Sequence, residues 1–281
     1  INLLKTFLNL KVGLENFGVF DGKKVFCWCD GFYMSVPFES GLDKTFATNL
    51  KEFVRVADGK ENLDFELHEE SESIKIKFKR TRFKIPSVPL ENTQEELDLS
   101  DAKSIDFGNS NIFLDNLKKA EKFMAIKDIR NYLEGVSIKG SEMGASNGCI
   151  AILIKDCGLD IGQNIIIPRV AVEFLIKIKL TLKTIFFSEV NGKANRISFQ
   201  FENGEIFSSP LIDQSFPDLS SVVFINEKLP VNELPQEFFD ALRELKAQDK
   251  GVGVRLSPTQ IEIQENVVNG TVEATVEIDL P

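Results

Sequence analysis

Several things are scarce in this 281-residue chain, and each scarcity removes a class of function. There is one histidine, His68, so an acid–base relay built on paired imidazoles is excluded. Four cysteines, Cys27, Cys29, Cys149 and Cys157, do not make a convincing zinc set. Cys27 and Cys29 stand one residue apart, where paired zinc ligands usually have two or more residues between them. Buried free thiols are the expectation, with no metal and no cofactor. One Trp and two Tyr against 24 Phe point to aromatics that fill cores, with little left for a base-stacking platform. No apolar run approaches the roughly 18 residues that would span a bilayer, and the first ten residues include Asn and Lys where a signal peptide needs a continuous apolar stretch. A soluble, cytoplasmic protein with no membrane partner is expected. Walker A, HExxH and Gly-x-Ser-x-Gly patterns are absent.

What is present is repetition. A short amphipathic helix followed by two or three alternating strands recurs five times, with helices expected at residues 2–11, 49–58, 111–124, 168–179 and 236–246. In the second, Leu50, Phe53, Val54 and Ala57 fall at i, i+3, i+4 and i+7, the spacing of one buried face. In the fourth, Ala171, Phe174, Leu175 and Ile178 repeat that spacing after Pro168, whose missing N–H costs nothing at a helix start. Strand signals follow each helix. Leu63, Phe65 and Leu67 alternate, then Ile74, Ile76 and Phe78, then Phe83 and Ile85. The pairs Asp21-Gly22 and Asp30-Gly31 supply residues that tolerate positive φ in hairpin turns.

The helices also carry cations: Lys51 and Arg55; Lys118, Lys119 and Lys122; Arg169 and Lys177; Arg243, Lys246 and Lys250. On any single helix this would be an ordinary solvated face. In a chain of net charge −10, recurrence on helix after helix suggests one surface arranged to meet a polyanion while the bulk repels it. A third feature is an acidic, proline-containing stretch at 86–110, which reads as an exposed linker. Its carboxylates lack the spacing and glycine of a calcium loop. The divisions expected are therefore 1–90, an acidic linker at 91–110, 111–225, and a shorter 226–281.

Two stretches of the second half, IIIPRVAVEFL and FQFENGEIFSSPLIDQSFPDLSSVV, resemble the middle domain of DNA polymerase sliding clamps, the bacterial β-clamp family and its phage relatives. The first pairs a strand with a proline-led helix start. The second ends in Leu211-Ile212-Asp213-Gln214-Ser215-Phe216-Pro217-Asp218, similar to the family's Phe-Pro-Asp signature. The resemblance extends more weakly to VFDGKKVFCWCDGFYMSV and to DIRNYLEGVSIKG followed by ASNGCIAIL. It implies an α+β fold of duplicated helix-plus-antiparallel-sheet units, two to three domains forming a ring, with helices lining a hole around duplex DNA.

It further implies a non-catalytic processivity factor whose partners are duplex DNA, a DNA polymerase, a clamp loader and further copies of itself as a dimer or trimer. The family's partner-peptide pocket maps onto Gly148, Cys149, Ile150, Val223 and Phe224. Where clamps often carry Thr-Asp-Gly-His-Arg-Leu, this chain has Ser146-Asn147-Gly148-Cys149-Ile150-Ala151. Two other readings stay open: a clamp-like adaptor that binds replication proteins without encircling DNA, and a carboxylate-metal nuclease. A three-domain clamp subunit needs six half-domain units and a two-domain subunit four, against the five counted.

Overall fold

The structure, a computed structural model, describes residues 1–10, 17–60, 63–68, 73–107, 110–222, 234–244, 253–256, 260–267 and 270–277. The chain divides into two compact units, Ile1–Val222 and Val223–Pro281.

In the first unit, α1 (Asn2–Leu8) precedes β1 (Phe17–Phe20), β2 (Lys24–Cys29), β3 (Phe32–Pro37) and β4 (Phe46–Asn49). Then come α2 (Leu50–Ala57), β5 (Asp64–His68), β6 (Ser73–Phe78), β7 (Thr81–Val88) and β8 (Lys103–Asp106). After α3 (Ser110–Glu121) the chain forms β9 (Gly135–Gly140), β10 (Glu142–Ser146), β11 (Ala151–Ile154) and β12 (Ile161–Pro168). The unit closes with α4 (Arg169–Lys177), β13 (Leu182–Val190), β14 (Lys193–Phe201), β15 (Ile206–Pro210) and α5 (Leu219–Val222).

Hairpin chemistry sets the local connections. Asp30 and Gly31 both take positive φ, 46° and 81°, in the two-residue turn that pairs Cys29 with Phe32. Asn49 caps α2, its side chain accepting from Glu52 N–H at 3.1 Å.

Eleven strands make one antiparallel sheet in the order β5-β6-β7-β4-β1-β2-β3-β15-β14-β13-β8. The β3–β15 junction, with Tyr33 opposite Ser208 and Met34 opposite Phe207, joins the regions read from sequence as separate domains. Phe207 is fully buried there, its ring 4.1 Å from Phe174 and 6.3 Å from both Phe7 and Phe32. Arg196 ties the outside of the same junction, donating to Gly31 O at 2.7 Å with its guanidinium 5.1 Å from the Trp28 ring.

The stretch read as a linker at 91–110 does more than connect. Its β8 pairs with β13, Thr184 opposite Asp106, so it contributes to the sheet edge. Trp28 Nε1 donates to Glu95 O at 2.7 Å, Lys24 pairs with Glu96, and Leu97 packs on the cluster of Val19, Phe26 and Tyr33. Sequence patterning missed these ties because they depend on distant strands.

A four-stranded sheet, β11-β10-β9-β12, packs against α3. In the second unit, α6 (Gln236–Glu244) packs on a three-stranded sheet of β16 (Gly253–Leu256), β17 (Gln260–Val267) and β18 (Gly270–Glu277). Phe238, Ile261, Ile263 and Val276 form its small core.

Candidate functional site

The four helices α1 to α4 turn their apolar stripes into one core and pack in the sequence α2, α1, α4, α3. Phe7 of α1 meets Phe174 of α4 edge-on at 6.2 Å, and Lys5 of α1 pairs with Asp58 beyond α2 at 2.6 Å. The polar sides therefore lie away from the core, and the expected cations can be located on them one by one.

On α2, Leu50, Phe53, Val54 and Ala57 are buried while Lys51 and Arg55 are exposed; Arg55 pairs with Glu52 at 2.6 Å. On α3, Phe113, Leu117 and Ala120 are buried, and Lys118 and Lys119 are exposed, as is Lys122 just beyond the helix. Lys177 of α4 is exposed and within 3.6 Å of Glu173. In the second unit, Arg243 of α6 is exposed and pairs with Asp240 at 2.7 Å; Lys246 and Lys250 lie outside the described residues.

Arg169 departs from the expectation of an open cation. Its side chain is only 17% exposed. The guanidinium donates to Met124 O at 2.9 Å and to Ala125 O at 2.9 and 3.1 Å, and pairs with Glu121 and Glu173. It binds the carbonyls just beyond the C-terminal end of α3, where the helix dipole favours a cation. Helical spacing placed it on a polar face, but only the packing of α4 on α3 brings those carbonyls within reach.

The second feature is a cleft of about 500 Å³ between the four-stranded sheet and the Phe-Pro-Asp segment. Ser137, Gly144 and Leu153 line one wall, and Phe216, Pro217 and Leu219 the other. The walls approach closely at Gly144, where a Cβ would stand 3.1 Å from Leu219 Cδ1. Tyr132 rests edge-on against Phe216 at 6.4 Å, and its backbone N–H donates to Gln214 at 3.2 Å.

Of the five residues assigned to a partner pocket, Gly148, Cys149 and Ile150 form the exposed turn between β10 and β11, outside the lining of this cleft. Val223 and Phe224 lie outside the described residues. The turn is rigidly built: Asn147 Oδ1 accepts from Cys149 N–H at 2.9 Å and Ile150 N–H at 3.0 Å, and Ser146 Oγ donates to Ile150 O at 2.9 Å. Cys149 is exposed, against the expectation that all four thiols are buried; Cys27, Cys29 and Cys157 are buried.

Although this turn lacks His and Arg, a guanidinium stands beside it. Arg130, from the segment after α3, lies against Gly148 and is held by Asp128 in a two-pronged contact at 2.8 and 2.9 Å. The hydrogen bonds from Arg130 hold the Asp128 carboxyl down at about 2. Sequence reading missed Arg130 and Tyr132 because nothing local links them to a turn or a Phe-Pro-Asp segment far along the chain.

Among the described residues no group of three or more His, Cys, Asp or Glu could hold a metal, and no helix is long and apolar enough to cross a membrane.

No protein-family model matches the sequence, and no curated protein matches it. Solved structures do. The DNA polymerase sliding clamp of Bacillus subtilis aligns with a TM-score of 0.75 at 16% identity, over 97% of this chain and 80% of that one. The DNA polymerase III subunit beta of Borrelia burgdorferi, in complex with a natural product, gives 0.76 at 14% identity over 98% and 80%. The Helicobacter pylori beta clamp bound to a DNA ligase peptide gives 0.74 at 16% identity over 99% and 81%. The chain thus has the fold of the bacterial DNA polymerase sliding clamps, the duplicated helix-and-sheet arrangement that its repeats imply.

Proposed function

We propose that the protein is a sliding clamp: a non-catalytic processivity factor that self-associates into a ring around duplex DNA and tethers a polymerase. The observation that carries this reading is the row of four helices whose buried stripes share one core and whose outer sides expose Lys51, Arg55, Lys118, Lys119, Lys122 and Lys177 in a chain of net charge −10. A ring holds its track topologically, so weak, salt-screened phosphate contacts suffice and leave it free to slide. The fold shared with clamps of three bacteria supports the same reading.

The partner site in this reading is the cleft of Phe216, Pro217 and Leu219 together with the Gly148 turn and Arg130. Leu153, Phe216, Pro217 and Leu219 would bury hydrophobic anchors of a polymerase or loader peptide within a lining that also carries Lys139, Glu142 and Lys193, and the guanidinium of Arg130 would orient it. The H. pylori clamp was solved with a ligase peptide, which is a precedent for peptide docking on this fold.

The deciding experiment is topological. Protein placed by a loader on nicked circular DNA should stay through a high-salt wash and leave when the circle is linearised. Equal retention on both forms overturns encirclement in favour of ordinary binding. No retention on either form, with polymerase binding intact, favours an adaptor that does not encircle DNA.

A further inference from the structure

The first part of the eleven-stranded sheet is apolar on both faces. By strand alternation Phe20, Val25, Cys27 and Met34 turn into the core shared with the helices, while Val19, Phe26, Trp28 and Tyr33 form a separate cluster on the opposite face. Residues 89–102, between β7 and β8, cross that second face as a strap whose only regular structure is a single helical turn at Leu90–Asn92.

The strap is held as a docked peptide is held. Trp28 Nε1 donates to the Glu95 carbonyl at 2.7 Å, and the Leu97 backbone hydrogen-bonds the Tyr33 hydroxyl. Main-chain contacts of this kind hold an extended segment whatever its sequence, and side chains supply the selectivity. Here those are one apolar anchor, Leu97 on Val19, Phe26 and Tyr33, and one acid, Glu96 on Lys24.

The fit is incomplete. A cavity of about 190 Å³ remains between Phe17, Phe26 and Trp28 of the sheet and Asn92, Thr93 and Gln94 of the strap. The strap thus sets polar side chains against aromatic rings, which forgo the packing contacts an apolar partner would give them. The Lys24–Glu96 pair is partly exposed on both sides and adds little to the hold.

We infer that residues 93–99 are a displaceable strap, and that the groove beneath them takes an extended acidic segment of a partner protein. That segment carries a glutamate directly before an apolar residue, as Glu96 precedes Leu97, and a second apolar side chain that fills the cavity. Because the strap is tethered at both ends it competes at a high local concentration, so a partner binds only the fraction of molecules whose strap has lifted. The groove shares no lining residue with the Phe-Pro-Asp cleft, and its use does not depend on ring formation.

The probe is a labelled peptide with the strap's own sequence, residues 90–100, LENTQEELDLS, added to the full chain. Fluorescence anisotropy should show binding about tenfold tighter, or more, to Leu97→Ala than to the unaltered protein, because the loosened strap competes less. Glu96→Ala, which leaves the apolar cluster intact, should shift affinity in the same direction. Circular dichroism checks that both variants are folded. Trp28 is the only tryptophan, so its emission reports on the groove directly. It should move to the red in Leu97→Ala and return on saturation with peptide. A peptide carrying Leu97→Ala should bind about tenfold less tightly, and one carrying Thr93→Leu or Gln94→Leu should bind more tightly than the parent.

Equal affinity for the unaltered and loosened proteins, binding that leaves Trp28 emission unchanged, or no binding to either variant overturns the inference. If Leu97→Ala without peptide assembles into larger species than the unaltered protein does, the groove takes a neighbouring copy's strap, and the assignment to a partner is overturned. No gain from either added leucine overturns the cavity's place in the site.

Discussion

Arg130 closes over Gly148: a Cβ built at Gly148 would stand 2.6 Å from Arg130 Nη2, and the glycine sits at φ +89°. The left-handed backbone disfavours a side chain there, and the guanidinium would have to swing aside for one. Gly148→Ala should therefore lower stability by about 1–2 kcal/mol, mostly through backbone strain. Urea denaturation would check it, and an unchanged midpoint would show that the turn relaxes freely.

The Arg130–Asp128 contact gives a pH signature. Asp128 is held at about 2 in the folded protein, below the ordinary unfolded value of about 3.9. The stabilisation from this pair is therefore complete above about pH 4 and disappears as pH falls toward about 2. NMR titration should place the Asp128 midpoint near the low end of that window, and Arg130→Ala should return it toward the ordinary carboxylate range. An ordinary midpoint in the unaltered protein would mean that the pair does not form in solution.

Arg169 separates structural cations from candidate DNA contacts. Arg169→Ala removes the donors to Met124 O and Ala125 O and should cost about 2 kcal/mol of stability. Arg169→Lys should recover only part of it, because one ammonium cannot reproduce the fork. Thermal unfolding of the two variants distinguishes this role from a DNA contact, whose removal would leave the unfolding temperature unchanged.

Lys118, Lys119 and Lys122 should behave in the opposite way. Replacing all three with Glu should change stability by no more than about 0.5 kcal/mol per site, since their side chains lie off the buried stripe. Binding to duplex DNA should weaken, and the slope of log affinity against log salt should shrink by about 0.9 for each phosphate that is no longer neutralised. An unaltered slope would remove α3 from the DNA-facing surface.

For the partner site, Ile150→Asp and Phe216→Ala are the informative variants. Ile150 is 53% exposed and Phe216 lines the cleft, so each should abolish polymerase stimulation while assembly, followed by light scattering, stays intact. Normal stimulation by both would place the site elsewhere.

The amphipathic period alone located the five main helices among the described residues and the buried faces of α2, α3 and α4, because one buried stripe per helix is written in residues three and four apart. The alternation of Ile74 and Ile76, and of Phe83 and Ile85, likewise announced β6 and β7. Strands with weak side-chain signals stayed hidden: β10, reading Glu-Met-Gly-Ala-Ser, and β8, inside an acidic stretch, owe their conformation to the strands beside them.

The same division runs through the candidate site. Sequence alone determined the repeat, the polar helix faces with their cations and the Phe-Pro-Asp segment, since each is a local pattern. Tertiary structure decided that Arg169 is spent on carbonyls near α3, that Arg130 reaches the Gly148 turn, and that β3 pairs with β15 to carry one sheet across the two halves of the first unit. Those outcomes rest on contacts between residues far apart in the chain, whose partners no local spacing specifies.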